Sequence, residues 1–364
     1  MPRKISNKHF LLIAGSLVTG IGRFYVPITS LISKLAILSF FLPISIISAQ
    51  YNDRGFRQVP INIDGEEING SNAIVQDLEG YIWLSTNLGL LKYDGYSAKA
   101  YKNIPGDSTS LTNDKIESLY VDHLGDIWIG TAGGVCRYNA DCDCFFQYQP
   151  TKHKNAPIGF VNNMIEDNNN DMWLIQTSGL FHYDRNKDSF TRFLDKPDDE
   201  IKVTDDVLRV ILEDRNNNIW IGTGYGKPSA GTGLIRFNPK TGAVKRFLHN
   251  PKDPNSLLDN RVSALYEDSQ GRLLIGTYKC GLHIYQPKTE NFERLSYNVN
   301  EPNQLHAPYL DDMVWGNDPF VQIIQQDQNG GYWIGTIGKG LNYFDPTTGK
   351  RSFYSGDPED SSLS

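Results

Sequence analysis

An aspartate recurs six residues ahead of an apolar triplet at six places in this chain, and in five of them the triplet is centred on tryptophan. The pairs are Asp77 and Trp83, Asp122 and Trp128, Asp167 and Trp173, Asp214 and Trp220, and Asp327 and Trp333; the remaining copy sets Asp268 before Leu274. Three residues past each aspartate stands Gly80, Gly125, Asn170, Asn217, Gly271 or Gly330. These residue types accept positive φ in a tight hairpin. Each copy therefore opens as strand, turn, strand. A third strand is marked off by a glycine and an aromatic, as from Gly89 to Tyr93 and from Gly134 to Tyr138. Turn signals such as Asp345-Pro346-Thr347-Thr348-Gly349 then lead into a more polar fourth strand, as at Arg351 to Tyr354.

The strands around each tryptophan are apolar at consecutive positions, so both faces of each small sheet must be covered. One four-stranded unit cannot shield its own indole, but copies stacked face to face around an axis can. The sequence predicts an all-β fold over residues 51–364: a β-propeller of four-stranded antiparallel blades, with six repeats present. Phe56-Arg57-Gln58-Val59-Pro60-Ile61 reads as an outer strand with no blade of its own. The last residues, Asp357 to Ser364, parallel the linker from Asp253 to Leu258 that precedes a new inner strand. Both features point to a piece of an incomplete seven-bladed ring.

Ahead of the repeats, the apolar run Leu35 to Ile47 follows Lys34 and ends at Ser48-Ala49-Gln50. This is the layout of a signal peptide over 34–50, cleaved near Ala49 or Gln50. Residues 1–33 read as an N-terminal extension that the mature protein lacks, the alternative being a retained membrane anchor. The protein is thus expected to be exported to the periplasm. A formal charge of −7 supplies no basic footprint for phosphates, so nucleic acid is not an expected partner. In an oxidising compartment a disulfide could close across a hairpin, with Cys136 and either Cys142 or Cys144 the near neighbours in sequence.

No cofactor, metal or catalytic set emerges. Gly222 to Lys227 lacks the spacing and the following helix of a phosphate loop, Asp167 to Asp171 lacks the glycine and distal glutamate of a calcium loop, and the seven histidines are scattered.

Because antiparallel strands reverse direction, the loops after second strands and the linkers between blades share one end of the ring. Both long insertions, Gly224 to Gly233 and Asn298 to Pro319, fall there. Binding residues concentrate on such loops when a rigid scaffold holds them. They carry Tyr225, Lys227, His306, Tyr309, Asp311, Asp312 and Trp315, joined by Tyr278 and Lys279 of the fifth copy. Aromatic faces beside polar groups suit a sugar, and Tyr225, Lys227, Tyr278, Lys279, His306, Tyr309 and Trp315 are the candidate ligand-binding residues. The competing reading is that Trp315 and Tyr309 pack the linker onto the ring or against a second propeller.

At Ile127-Trp128-Ile129-Gly130-Thr131 and from Glu213 to Thr223, the repeat resembles the two-component regulator propeller repeat. The resemblance implies the periplasmic, N-terminal part of a hybrid two-component sensor that detects oligosaccharides. Its partners would be further propeller and signalling domains of the same polypeptide, with a second copy of the chain as another candidate. Any membrane contact would run through the N-terminal segment or through later parts of the full protein. The motif is scaffold, so no functional residue transfers with it, and this part of such a sensor would not itself be an enzyme. The alternative is a secreted propeller enzyme of the polysaccharide lyase or glycoside hydrolase type, which would need carboxylates converging on one end of the ring.

Overall fold

The computed structural model describes residues 61–63, 66–68, 70–86, 88–153, 155–176, 179–193, 207–225, 231–296, 304–307, 320–337 and 340–354. The expected N-terminal extension (1–33), the expected signal peptide (34–50) and residues 56–60 of the expected outer strand lie outside them. After a two-stranded ribbon, Asn62–Ile63 with Glu66–Glu67, come six four-stranded antiparallel sheets in chain order, with no helix among the described residues. Each is a meander. In blade 2 the strands Ile116–Val121, Ile127–Thr131, Gly134–Asn139 and Cys144–Gln147 lie side by side in sequence order. The other first strands are Ile74–Gln76, Val161–Glu166, Leu208–Glu213, Val262–Glu267 and Phe320–Gln326, and successive ones contact each other. This is the propeller arrangement the repeat demanded.

The core sits in the seams between blades. Five buried clusters each straddle two neighbours; the first joins Trp83 and Leu90 of blade 1 to Ile127, Ile129 and Cys136 of blade 2. At the ends of the series Leu84 and Leu91 pack with Ile61, and Trp333 packs with Leu341, Tyr343 and Tyr354. Among the described residues no cluster joins blade 6 to blade 1.

Trp83, Trp128, Trp173 and Trp220 each meet an aromatic of the next blade, with ring centroids 4.7 Å from Tyr138, 5.0 Å from Tyr183, 5.9 Å from Phe237 and 4.8 Å from Tyr285. Each of these indoles donates Nε1–H to one oxygen of the aspartate six residues earlier, at 2.7–2.9 Å. The other oxygen accepts the backbone N–H groups two and four residues on, as Asp122 does from Leu124 and Asp126. One carboxylate thus closes the hairpin and satisfies a buried donor that would otherwise cost a hydrogen bond. Gly130 is small for a further reason: a Cβ there would lie 2.8 Å from the Val161 carbonyl oxygen of the next blade.

The cysteine pairing differs from the expected one. In the hairpin register Cys136 faces Gln147, and Cys144 faces Asn139, so neither Cys142 nor Cys144 lies beside Cys136. Cys142 and Cys144 bridge each other across Asp143, with Cα atoms 5.2 Å apart. Cys136 and Cys280 are buried and take no part in a disulfide, and burial pushes the Cys136 thiol up to about 12.

Candidate functional site

The two ends of the propeller are built differently. At the end bearing the first hairpin turns, the residue before the aspartate of blades 3 to 6 reaches back to the preceding blade. Glu166, Glu213, Glu267 and Gln326 accept the backbone N–H of His123, Asn168, Arg215 and Ser269 at 2.7, 2.7, 3.1 and 2.9 Å. That end is a repeated, self-satisfied lock.

At the opposite end, each first strand from blade 2 to blade 6 starts with a bulge that takes Glu117, Asn162, Arg209, Ser263 or Gln322 out of the ladder. A bulge re-aims its side chain and is common next to sites. Some of these residues only bind blades together: Asn162 Nδ2 donates to the Leu208 carbonyl at 2.6 Å and Ser263 Oγ to that of Val321 at 2.6 Å. Arg209 does something else. From blade 4 it passes blade 5 to reach Gln322 of blade 6, donating from Nη2 to Oε1 at 2.8 Å, while Nη1 donates to the Tyr278 hydroxyl at 3.0 Å.

Three aromatic rings gather round its guanidinium: Phe320 at 4.6 Å, Tyr225 at 5.0 Å and Tyr278 at 5.6 Å from the carbon. Tyr278 stacks on Phe320, centroids 4.3 Å apart and planes 18° apart, and is buried, so its part is to support the group. Tyr225 is 65% exposed and offers a free face. On the far side of Tyr278 the guanidinium of Arg261 lies 4.1 Å from the ring and forks onto Asp259, at 2.9 Å from Nε and 2.8 Å from Nη2. Lys279 Nζ is 3.7 Å from the same carboxylate. Burial would raise the pKa of Asp259, but its bonds to Arg261 and the nearby Lys279 outweigh that and hold it below the usual range. Lys279 and Cys280 both have positive φ, 62° and 49°, a conformation costly for side chains with a Cβ.

Of the residues singled out from sequence, the structure brings Tyr225, Tyr278 and Lys279 together. His306 is placed on another part of the fold: Ala307 N–H bonds the Leu295 carbonyl and Arg351 bonds that of Gln304, which lays 304–307 against outer strands of blades 5 and 6. Lys227, Tyr309, Asp311, Asp312 and Trp315 lie outside the described residues. The sequence reading missed Arg209, Phe320 and Gln322. A signal existed, because the residue that follows Ile116, Val161, Leu208, Val262 or Val321 interrupts the apolar start of the inner strand with a polar side chain, at Glu117, Asn162, Arg209, Ser263 and Gln322.

The fold is an all-β propeller, with Arg209, Tyr225, Tyr278 and Phe320 gathered at one end. Residues 110–133, 203–225 and 256–279 match the family described as two component regulator propeller. Over 76 residues the chain is 41% identical to Histidine kinase P4 of Formosa agariphila, a stretch covering 21% of this chain and 5% of that protein. It superposes on the extracellular domain assigned to a one component system of B. thetaiotaomicron with a TM-score of 0.63 and 22% identity, over 85% of this chain and 36% of that one. A second extracellular domain from B. thetaiotaomicron, assigned to a hybrid two component system, gives 0.60 and 24% over 80% and 36%. The chain therefore spans about a third of these solved relatives, which share its fold.

Proposed function

We propose that this propeller is the exported, ligand-sensing part of a hybrid two-component sensor, and that it recognises an oligosaccharide at the rim around Arg209. The observation that carries the reading is the convergence of Tyr225, Phe320 and Tyr278 on one arginine, at the end where loops vary. A sugar ring has apolar C–H faces that stack on an aromatic and hydroxyls that seek fixed polar groups. Tyr225 supplies the first and Arg209 with Gln322 the second. Lys227, Tyr309 and Trp315, which strand direction leads one to expect at the same end, belong to the same proposal. The rim is assembled from blades 4, 5 and 6, so a ligand seated there bridges three blades and favours one arrangement of them. Such a bias is what a sensor passes on to signalling domains supplied by the rest of the polypeptide.

Titration calorimetry of the full chain against a panel of neutral and acidic oligosaccharides tests this. Binding by at least one of them, weakened tenfold or more by Tyr225→Ala, is the expected result. Absence of heat across the panel, or an affinity untouched by Tyr225→Ala and Trp315→Ala, would remove the proposed rim site.

A further inference from the structure

Arg209 has a chemistry that sugar recognition alone does not require. A desolvated guanidinium normally faces a carboxylate, because moving a charge out of water is costly without one. Its neighbour Arg261 obeys this, with both prongs of its fork on Asp259. Arg209 is half-buried and gives its two hydrogen bonds to neutral acceptors, the Tyr278 hydroxyl and the Gln322 amide oxygen. Among the described residues it has no acidic partner. Burial pulls its pKa below the usual arginine value. A guanidinium has five N–H donors, so most of the fork is left to offer.

We infer that Arg209 anchors an oxyanion subsite, and that the ligand of this rim is an acidic saccharide whose carboxylate or sulfate ester meets the guanidinium while its ring lies on Tyr225. The inference rests on the oligosaccharide reading above and narrows it to a charge class.

Three further features agree. Among the described residues, the charged side chains linked in this group are Arg209, Arg261 and Lys279 with the carboxylate of Asp259, three cations to one anion on a chain of formal charge −7. Such a local excess concentrates anions. Lys279 is exposed, and the strained two-residue turn Lys279-Cys280 holds it there. Strain of that kind persists where the surroundings enforce it, and it clusters at ligand sites. Finally, the arginine fork matches carboxylate and sulfate geometry, which an ammonium cannot do.

The test uses the full chain, titrated at low and high salt with oligogalacturonate, with a sulfated galactan oligosaccharide, and with the carboxyl-reduced and desulfated forms of each. The expected result is that one of the acidic forms binds at least tenfold more tightly than its neutral counterpart. Which one binds tells uronate from sulfate ester. Arg209→Gln should erase that advantage, Arg209→Lys should keep only part of it, and salt should weaken the acidic ligand alone. Should Arg209→Gln fail to fold, the lysine variant and the salt dependence still decide. Neutral and acidic forms binding alike, unmoved by either variant, would overturn the oxyanion subsite and leave oligosaccharide sensing standing. A lowered unfolding temperature of Arg209→Gln with unchanged preference for the acidic form would mark Arg209 as a strut and overturn it as well. If none of these saccharides and none of the wider panel bind, the oligosaccharide reading itself falls.

Discussion

Tyr332 of blade 6 donates its hydroxyl to Asp268 of blade 5 at 2.9 Å, in the place an indole takes beside the equivalent aspartate of blades 1 to 4. Leu274 stands where that indole would be and has no donor. Arg272 makes up the rest, giving Nε–H to the same carboxylate oxygen at 2.7 Å and an Nη2–H to the Tyr332 oxygen at 2.6 Å. Burial would raise the pKa of Asp268, yet these donors and the Arg272 backbone N–H hold it below the usual range. Tyr332 is pushed up to about 12, first by burial and then by its bond to the carboxylate. The departure of one copy from the repeat is thus compensated from the next blade.

Tyr332→Phe keeps the ring and removes the donor. A hydrogen bond to a charged, buried acceptor contributes about 1.5–3 kcal/mol, so the variant should lose that much in a denaturant titration. A change below about 0.5 kcal/mol would show that Arg272 alone satisfies Asp268.

Trp128 is fully buried, stacks on Tyr148 at 5.3 Å, meets Tyr183 of the next blade and bonds Asp122. Trp128→Ala should cost about 3–5 kcal/mol through the cavity it leaves. The same experiment on Tyr96, a residue 98% exposed, should give a change within about 0.5 kcal/mol. Equal losses at the two sites would contradict a core that lives in the seams.

The blades were legible because their determinants are local and repeated: an aspartate, a turn residue and an indole at fixed spacing specify one hairpin each time. The spacing of Asp122 and Trp128 marked a hairpin, but that one oxygen of Asp122 holds the turn and the other the indole is seen only in the folded blade. The rim was legible as an end and not as a set of residues. Strand direction placed Tyr225, Tyr278 and Lys279 on it, but Arg209 comes from inside a strand and arrives through a bulge. Its partners Tyr278, Phe320 and Gln322 lie 69, 111 and 113 residues away in sequence, in other blades. The cysteines failed for a related reason: sequence distance made Cys136 eligible, and only the register with Gln147 takes it out of reach.

Cys136 and Cys280 are buried thiols outside any disulfide, while Cys142 and Cys144 are joined. A thiol reagent should therefore find nothing to modify in the native protein and the two buried cysteines after unfolding. Reduction of the bridge should lower stability by no more than about 2 kcal/mol, because the loop it closes is very short and little chain entropy is at stake. Rapid labelling of native protein would contradict the burial, and two additional thiols in unreduced, unfolded protein would contradict the bridge.

His283, wholly buried in the third strand of blade 5, gives stability a pH dependence of known sign. Its Nε2 accepts the Leu258 N–H at 2.9 Å, so Nδ1 carries the proton and faces the Ile275 carbonyl at 3.2 Å. Protonating Nε2 would set a donor against a donor and charge a buried ring. Burial accordingly lowers the pKa to about 4 from an ordinary 6.5. In that window the unfolded chain binds the proton and the folded chain does not, so stability is intact above the unfolded value and declines as pH falls toward the folded one. Over the whole window the loss is about 3 kcal/mol, of which about 2 falls between about pH 7 and pH 5. His283→Gln retains polar atoms but does not titrate, and the difference in unfolding free energy between wild type and variant should shrink by that amount as the pH is lowered. Stability curves that stay parallel from pH 7 to 5 would mean that His283 is reachable by protons in the native state, and with it the seam under the Tyr278-Lys279 turn.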